Sequence, residues 1–177
     1  KFDKPRRWIN SGGVVTKGVG LPHAMGVPLA FPEAQVACST GESSIQMNIQ
    51  ELSTCKQYRI PVKVVMLNNR YMGMVRQWQE FFYEKRYAAT PLLNPDFVKL
   101  AQAFGIRSVA VSTRADVVPA VAAARAHKGP MLIEFQVEQE DSVYPMVPAG
   151  ADLHAMIRRP SPIVETFLVA LASFTAY

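Results

Sequence analysis

Val62-Lys63-Val64-Val65-Met66-Leu67-Asn68-Asn69 is a β-branched, apolar run that stops abruptly at two amides. Upstream stands its counterpart, Ala34-Gln35-Val36-Ala37-Cys38, followed by the turn Gly41-Glu42-Ser43-Ser44. Short apolar runs bounded by polar turn residues read as buried strands. Between them, Ile45, Ile49, Leu52 and Cys55 recur with a helical period. Strand, helix and strand in that order are the unit of a parallel sheet, whose ligands bind in the crevice outside the carboxyl ends of the strands. The Glu42 carboxylate and an amide oxygen from the Asn68-Asn69 turn are expected to converge there on a hard cation. Oxygen ligands suit Mg²⁺, which is held by few protein groups while the phosphates of a ligand complete its shell. Ser43-x-x-Gln46 fits a capping box, and a helix N-terminus offers N–H groups to a phosphate.

The rest of the chain extends this pattern. A Gly-rich loop leads to a short helix over residues 21–30, ended by Phe31-Pro32. An aromatic-rich segment over 71–90 reads as helix for most of its length. Asn94 as cap, Pro95 in the first turn and Gly105 at the end bracket another helix, with Phe97, Leu100, Ala101 and Phe104 on its buried face. A strand over 107–111, an Ala/Val-rich helix over 114–127 and a strand over 131–137 follow. Residues 138–160 read as irregular chain. Together these elements predict an α/β fold, a three-layer, doubly wound, mainly parallel sheet. Residues 1–160 form one domain, and 161–177 an apolar helical tail.

Composition narrows the function. A chain of 177 residues, 49% hydrophobic and 19% charged, buries one substantial core. No stretch approaches the ~20 apolar residues of a membrane span. The first seven residues lack the apolar core of a signal peptide, and a missing initiator Met points to an excised or truncated fragment. Cys38 and Cys55 fit neither a disulfide framework nor a zinc pattern and read as buried free thiols of a reducing, cytoplasmic protein. His23, His127 and His154 are too scattered for a metal cluster. The net charge of +5 is dispersed, so no nucleic-acid partner is expected.

Several stretches resemble one family. Ser11-Gly12-Gly13, Gly18-x-Gly20-Leu21-Pro22, Gln46-Met47-Asn48-Ile49-Gln50-Glu51-Leu52, Asn94-Pro95-Asp96-Phe97 and Tyr144-Pro145-Met146-Val147-Pro148 look like the acetolactate synthase (acetohydroxyacid synthase) large subunit. So does the longer run Asn68-Asn69-Arg70-Tyr71-Met72-Gly73-Met74-Val75-Arg76-Gln77-Trp78. The resemblance is to the C-terminal, thiamine-diphosphate-binding part of that subunit and covers roughly residues 5–165. It implies a thiamine-diphosphate-binding fold, here truncated at its N-terminal edge, with thiamine diphosphate and Mg²⁺ as cofactors. FAD would be bound mainly outside this fragment. It also implies a homodimer or tetramer, a possible small regulatory subunit and 2-keto acid substrates.

The family's Mg²⁺ ligands fall on Glu42, Asn69 and the backbone carbonyl of Tyr71. Cofactor contacts fall on Val15, Lys17, Gly41, Ser43, Ser44 and Met74. Met74 and Trp78 line the pocket for the second 2-keto acid, pyruvate or 2-ketobutyrate. For the aromatic face of Trp78, Phe81 and Phe82 the alternative is packing in the core or against a partner chain.

Four positions depart from the family. Glu42 stands where it has Asp, and Ser43 where it has Gly or another small residue. Val15 replaces Gly and Lys17 replaces Met. An ammonium under the cofactor rings is costly unless it snorkels out, so Lys17 is expected to reach toward the diphosphate or solvent. The family's catalytic glutamate lies on a different domain, so no catalytic residue is assigned in this fragment, and the isolated chain is expected to be inactive. Two other readings stand beside this one. One is a non-catalytic remnant with a degenerate cofactor site; the other is a different thiamine-dependent carboligase or decarboxylase, such as glyoxylate carboligase.

Overall fold

The run ending in Asn68-Asn69 lies in the interior of a four-stranded sheet, and the helices follow from where each strand sits. A computed structural model describes residues 5–14 and 16–160. Val15 and the tail from residue 161 lie outside the described residues. The chain divides into two compact units, Lys1–Glu140 and Asp141–Tyr177.

The first unit holds the sheet. Its elements in chain order are α1 (Gly20–Ala30), β1 (Ala37–Gly41), α2 (Glu42–Gln46), α3 (Glu51–Gln57), β2 (Lys63–Asn68), α4 (Gly73–Phe82), α5 (Phe97–Ala103), β3 (Arg107–Val111), α6 (Arg114–Ala126) and β4 (Met131–Gln136). The order across the sheet is β1-β2-β4-β3, and every pairing is parallel.

That order explains the layers. From β1 to β2 and from β2 to β3 the chain moves in one direction, whereas from β3 to β4 it turns back. Right-handed crossovers then put α2, α3 and α5 on one face and α6 on the other. The buried clusters match. Leu21, Ile45, Leu52, Val64, Met66, Phe97, Ala101 and Leu132 form one core, while Val111, Ala120, Ala124, Met131 and Ile133 form the second beneath α6.

The buried faces match the expected periodicity, but the single helix read over Ile45, Ile49, Leu52 and Cys55 is broken by a turn over 47–50 into α2 and α3. Ile45, Leu52 and Cys55 are buried with Ile49 packed beside them, and Phe97, Leu100, Ala101 and Phe104 all join the larger core. Cys38 and Cys55 are buried free thiols, and burial pushes each up to about 11.

Local boundaries differ in four places. The first strand lies three residues later than its apolar run and reaches Gly41, so Glu42 opens a helix directly. The Ser43–Gln46 capping box does not form: Gly41 is the N-cap with no side-chain bond, and Gln46 Nε2 donates to the Glu42 carbonyl instead. Residues 71–90 are helical only over α4. Finally, α5 is capped not by Asn94 but by Asp96, whose side chain accepts from the Lys99 N–H at 2.9 Å. Asp96 wins because its oxygen lies within reach of the N3 amide, which frees Asn94 for the site.

In the second unit, a bridge between Met146 and Ile157 and a 3₁₀ turn at Leu153–Ala155, capped by Asp152, give residues 141–160 their order. Arg159 binds Asp141 at 2.9 Å and lies over the Tyr144 ring.

Leu132 is fully buried where β4 meets the larger core. Leu132→Ala is expected to lower unfolding stability by about 2–5 kcal/mol, read as a lower urea midpoint at unchanged slope.

Candidate functional site

The register aligns the carboxyl ends of three strands: Gly41 pairs with Leu67, Leu67 with Phe135, and Asn68 with Gln136. Glu42 and Asn69 therefore follow adjacent strand ends and emerge side by side. Glu42 is only 2% exposed. Its Oε1 accepts from the Tyr71 N–H at 3.1 Å, and Asn69 Oδ1 accepts from the same N–H at 3.1 Å. The two oxygens thus lie within twice that distance of each other.

Consecutive Asx turns build this arrangement. Asn68 Oδ1 accepts from the Arg70 N–H at 3.1 Å, and Asn69 Oδ1 repeats the pattern one residue on. Arg70 sits at φ 59, the left-handed region. Residues 90–92 back the turn, with Met72 N–H donating to Thr90 O and Leu92 N–H to Arg70 O. Gly73 leaves room for it, since a Cβ there would lie 3.1 Å from Asn69 Nδ2.

Electrostatics at Glu42 are unbalanced. Burial pushes its carboxyl above the ordinary 4.5, and hydrogen bonds from backbone and from Asn94 only partly offset this. Among the described residues it makes no ion pair. Two acceptors on one N–H, one of them a buried carboxylate, are oxygen ligands of the kind a hard cation takes.

A second layer holds the loop before α1. Gly18 N–H donates to Ser44 Oγ at 2.9 Å, and Asn48 Nδ2 donates to the Gly18 carbonyl at 2.9 Å. Gly18 has φ +86, and a Cβ there would come within 2.9 Å of Asn48 Nδ2. Glycine is required on both counts. Lys17, next to it, is exposed, so its ammonium is not buried. Ser43 and Ser44 are half-buried. Beside them, a cavity of about 690 Å³ is lined by α1, by β1 and by the chain before α1.

The helix after the turn is inverted. Arg76 and Gln77 are each 2% exposed, whereas Met74 is 51% and Trp78 40% exposed. Arg76 is buried as a partnered charge: it binds Glu80 at 2.9 Å and the Glu140 carbonyl, and lies 5.5 Å from the Tyr71 ring and 5.8 Å from the Tyr87 ring. Trp78 packs against Phe82 with ring centroids 5.1 Å apart and tilted, and neither ring joins the core of its own unit.

Sequence reasoning missed Glu134, Asn94 and Gln46. Asn68 Nδ2 donates to buried Glu134 at 2.6 Å, Asn94 Nδ2 donates to Asn68 Oδ1 at 3.1 Å, and Gln46 Nε2 reaches Asn94 Oδ1 at 3.3 Å. Only Glu134 carried a readable signal, a carboxylate in the middle of an apolar strand. Val15 lies outside the described residues. No group of three His, Cys, Asp or Glu side chains fit to hold a metal occurs among the described residues. The candidate set is instead one carboxylate, one amide oxygen and one backbone carbonyl.

A parallel sheet with an acidic turn and an amide turn at its carboxyl ends defines a cofactor-binding α/β domain. The family "Thiamine pyrophosphate enzyme, C-terminal TPP binding domain" matches residues 1–135, and the chain belongs to it. The acetolactate synthase large subunit of Parasynechococcus marenigrum is 47% identical over 159 residues, covering 89% of this chain and 26% of the relative. The acetolactate synthase isozyme 3 large subunit of Escherichia coli is 46% identical, covering 88% and 28%. The chain thus spans about a quarter of the length of these curated relatives. The solved Rhodococcus jostii RHA1 thiamine diphosphate-dependent 4-hydroxybenzoylformate decarboxylase is 35% identical, with a TM-score of 0.66 over 71% of this chain and 24% of that one.

A carboxyl raised by burial binds protons more tightly in the fold, so its contribution to stability is full below the ordinary value and is lost as pH rises through the raised one. Glu42→Gln keeps the acceptor and removes the charge. In metal-free buffer it is expected to raise Tm at about pH 8, by about 2–4 °C per kcal/mol recovered, with the gain shrinking toward about pH 4. Differential scanning calorimetry across that range checks it.

Proposed function

We propose that this chain is the thiamine-diphosphate- and Mg²⁺-binding domain of an acetolactate synthase large subunit, an enzyme that joins pyruvate to a second 2-keto acid in branched-chain amino-acid biosynthesis. The observation that carries the reading is the pair of oxygens, Glu42 Oε1 and Asn69 Oδ1, sharing the Tyr71 N–H at the carboxyl ends of β1 and β2. Glu42, Asn69 and the Tyr71 carbonyl would hold the metal. Gly41, Ser43 and Ser44 would meet the diphosphate at the opening of α2. Thiamine diphosphate, when bound, supplies the carbon acid that cleaves and joins 2-keto acids.

The remaining residues orient and exclude. Gly18, tied to Ser44 and Asn48, would hold neighbouring Lys17 beside the cofactor. Exposed Lys17 reaches the diphosphate or solvent without a desolvation cost. Met74 and Trp78 face outward from α4 and would shape the acceptor pocket, the indole favouring 2-ketobutyrate. Their exposure also supports association with a second copy of this subunit, alongside a small regulatory subunit. FAD, if present in the whole protein, would bind mainly outside these residues. The buried free thiols support the cytoplasm as compartment. Among the described residues no helix is long and apolar enough to cross a membrane.

The second reading, a remnant with a decayed site, rests on the longer side chain of Glu42 and on Ser43. Calorimetric titration of the 177-residue chain with thiamine diphosphate, in Mg²⁺ and in chelator, separates the two. Saturable binding that needs Mg²⁺ and is lost in Asn69→Ala is the expected result. Binding by a Glu42→Asp, Ser43→Gly variant but not by the native chain would establish the remnant.

A further inference from the structure

We propose that Glu134, on β4, is a positioning residue for the metal site: acting through Asn68, it sets the turn that presents Asn69 and Tyr71 to Glu42. This deepens the cofactor-site reading above and rests on it. Glu134 is buried in a strand whose neighbours Met131, Leu132 and Ile133 are all core. Met66 is its partner on β2, two residues before Asn68, so Glu134 reaches forward along the sheet to the amide. The bond is short, 2.6 Å from Asn68 Nδ2 to Glu134 Oε1.

That bond decides which way the Asn68 amide faces. With Nδ2 committed to Glu134, Oδ1 points to the turn, where it accepts from the Arg70 N–H and from Asn94 Nδ2, each at 3.1 Å. The first of these closes the turn around Arg70 at φ 59, a conformation that a non-glycine residue holds only when its surroundings impose it. Were the amide reversed, an NH₂ group would face the Arg70 N–H, donor against donor. The Asx turn at Asn69 begins inside this one, so Asn69 Oδ1 and the Tyr71 backbone inherit its geometry.

The network also returns to Glu42. Asn94 Oδ1 accepts from Gln46 Nε2, which also donates to the Glu42 carbonyl at 3.1 Å. Glu134, Asn68, Asn94 and Gln46 thus tie β4 to both sides of the metal site. Stability alone does not call for such a pair, since well-packed apolar residues of similar volume are usually as good or better at a buried site. Groups standing behind metal ligands tune affinity by about 10–100-fold.

The test is a Mg²⁺ titration of the full 177-residue chain at saturating thiamine diphosphate, followed by calorimetry, with metal-free melts to verify folding. Glu134→Leu is expected to raise the half-saturating Mg²⁺ concentration by about 10–100-fold. Glu134→Gln, which keeps an acceptor, should stay within about threefold of native. Asn68→Asp alone sets two carboxylates face to face and should lose Mg²⁺ response. Adding Glu134→Gln to it restores the bond with donor and acceptor exchanged, leaves an oxygen for Arg70 and Asn94, and should recover the response. This exchange decides the matter even if Glu134→Leu fails to fold. Native Mg²⁺ dependence in a folded Glu134→Leu, or a folded double variant that responds less than Asn68→Asp, overturns the proposal while leaving the metal site standing. Absence of Mg²⁺-dependent binding by the native chain overturns both.

Discussion

One backbone N–H, that of Tyr71, is shared by a buried carboxylate and an amide oxygen. Much of the first unit serves to make that possible. Parallel pairing of β1 with β2 brings Glu42 and Asn69 out at one level. Consecutive Asx turns aim the amide inward. Arg76, buried with its guanidinium over the Tyr71 and Tyr87 rings and paired with Glu80, packs beside the turn. A cation bound between the two oxygens would relieve a repulsion that the bare protein meets only with amides and N–H groups.

The departures at the first turn look different in space than in sequence. The Glu42 side chain lies back against the Tyr71 amide and is almost wholly buried. Ser43 is half-buried at the opening of α2, and the Ser44 hydroxyl holds the Gly18 amide. Lys17 faces solvent, so the substitution that looked most costly to bury is not buried.

Much of the fold was legible because hydrophobic periodicity is a local record of burial. The faces of α3 and α5 and the strands at 107–111 and 131–136 follow from it, while α1 and α6 were read from their composition and the prolines that bound them. The Glu42 and Asn69 turns were legible because polar residues that interrupt apolar strand ends have few structural reasons to be there. Other features were decided by tertiary contacts. Asn94 looked like a cap, yet Asp96 has the better reach to an N3 amide, and Asn94 turns to Asn68. The Ser43–Gln46 pair had the spacing of a capping box, but Gly41 takes the cap position and Gln46 donates to the Glu42 carbonyl. The α4 stripe read as a substrate pocket at Trp78, with packing in the core or against a partner chain as the alternative, and only the burial of Arg76 and Gln77 shows which side turns inward.

The most direct measurement is the location of the metal. Crystals of the chain grown with thiamine diphosphate and Mn²⁺ in place of Mg²⁺ would show the ion by its anomalous scattering. The expected peak lies between the Glu42 carboxylate, Asn69 Oδ1 and the Tyr71 carbonyl, with the Tyr71 N–H released from at least one of its two acceptors. A peak elsewhere, or cofactor bound with no ion at Glu42, would contradict the assignment of these residues as the metal site.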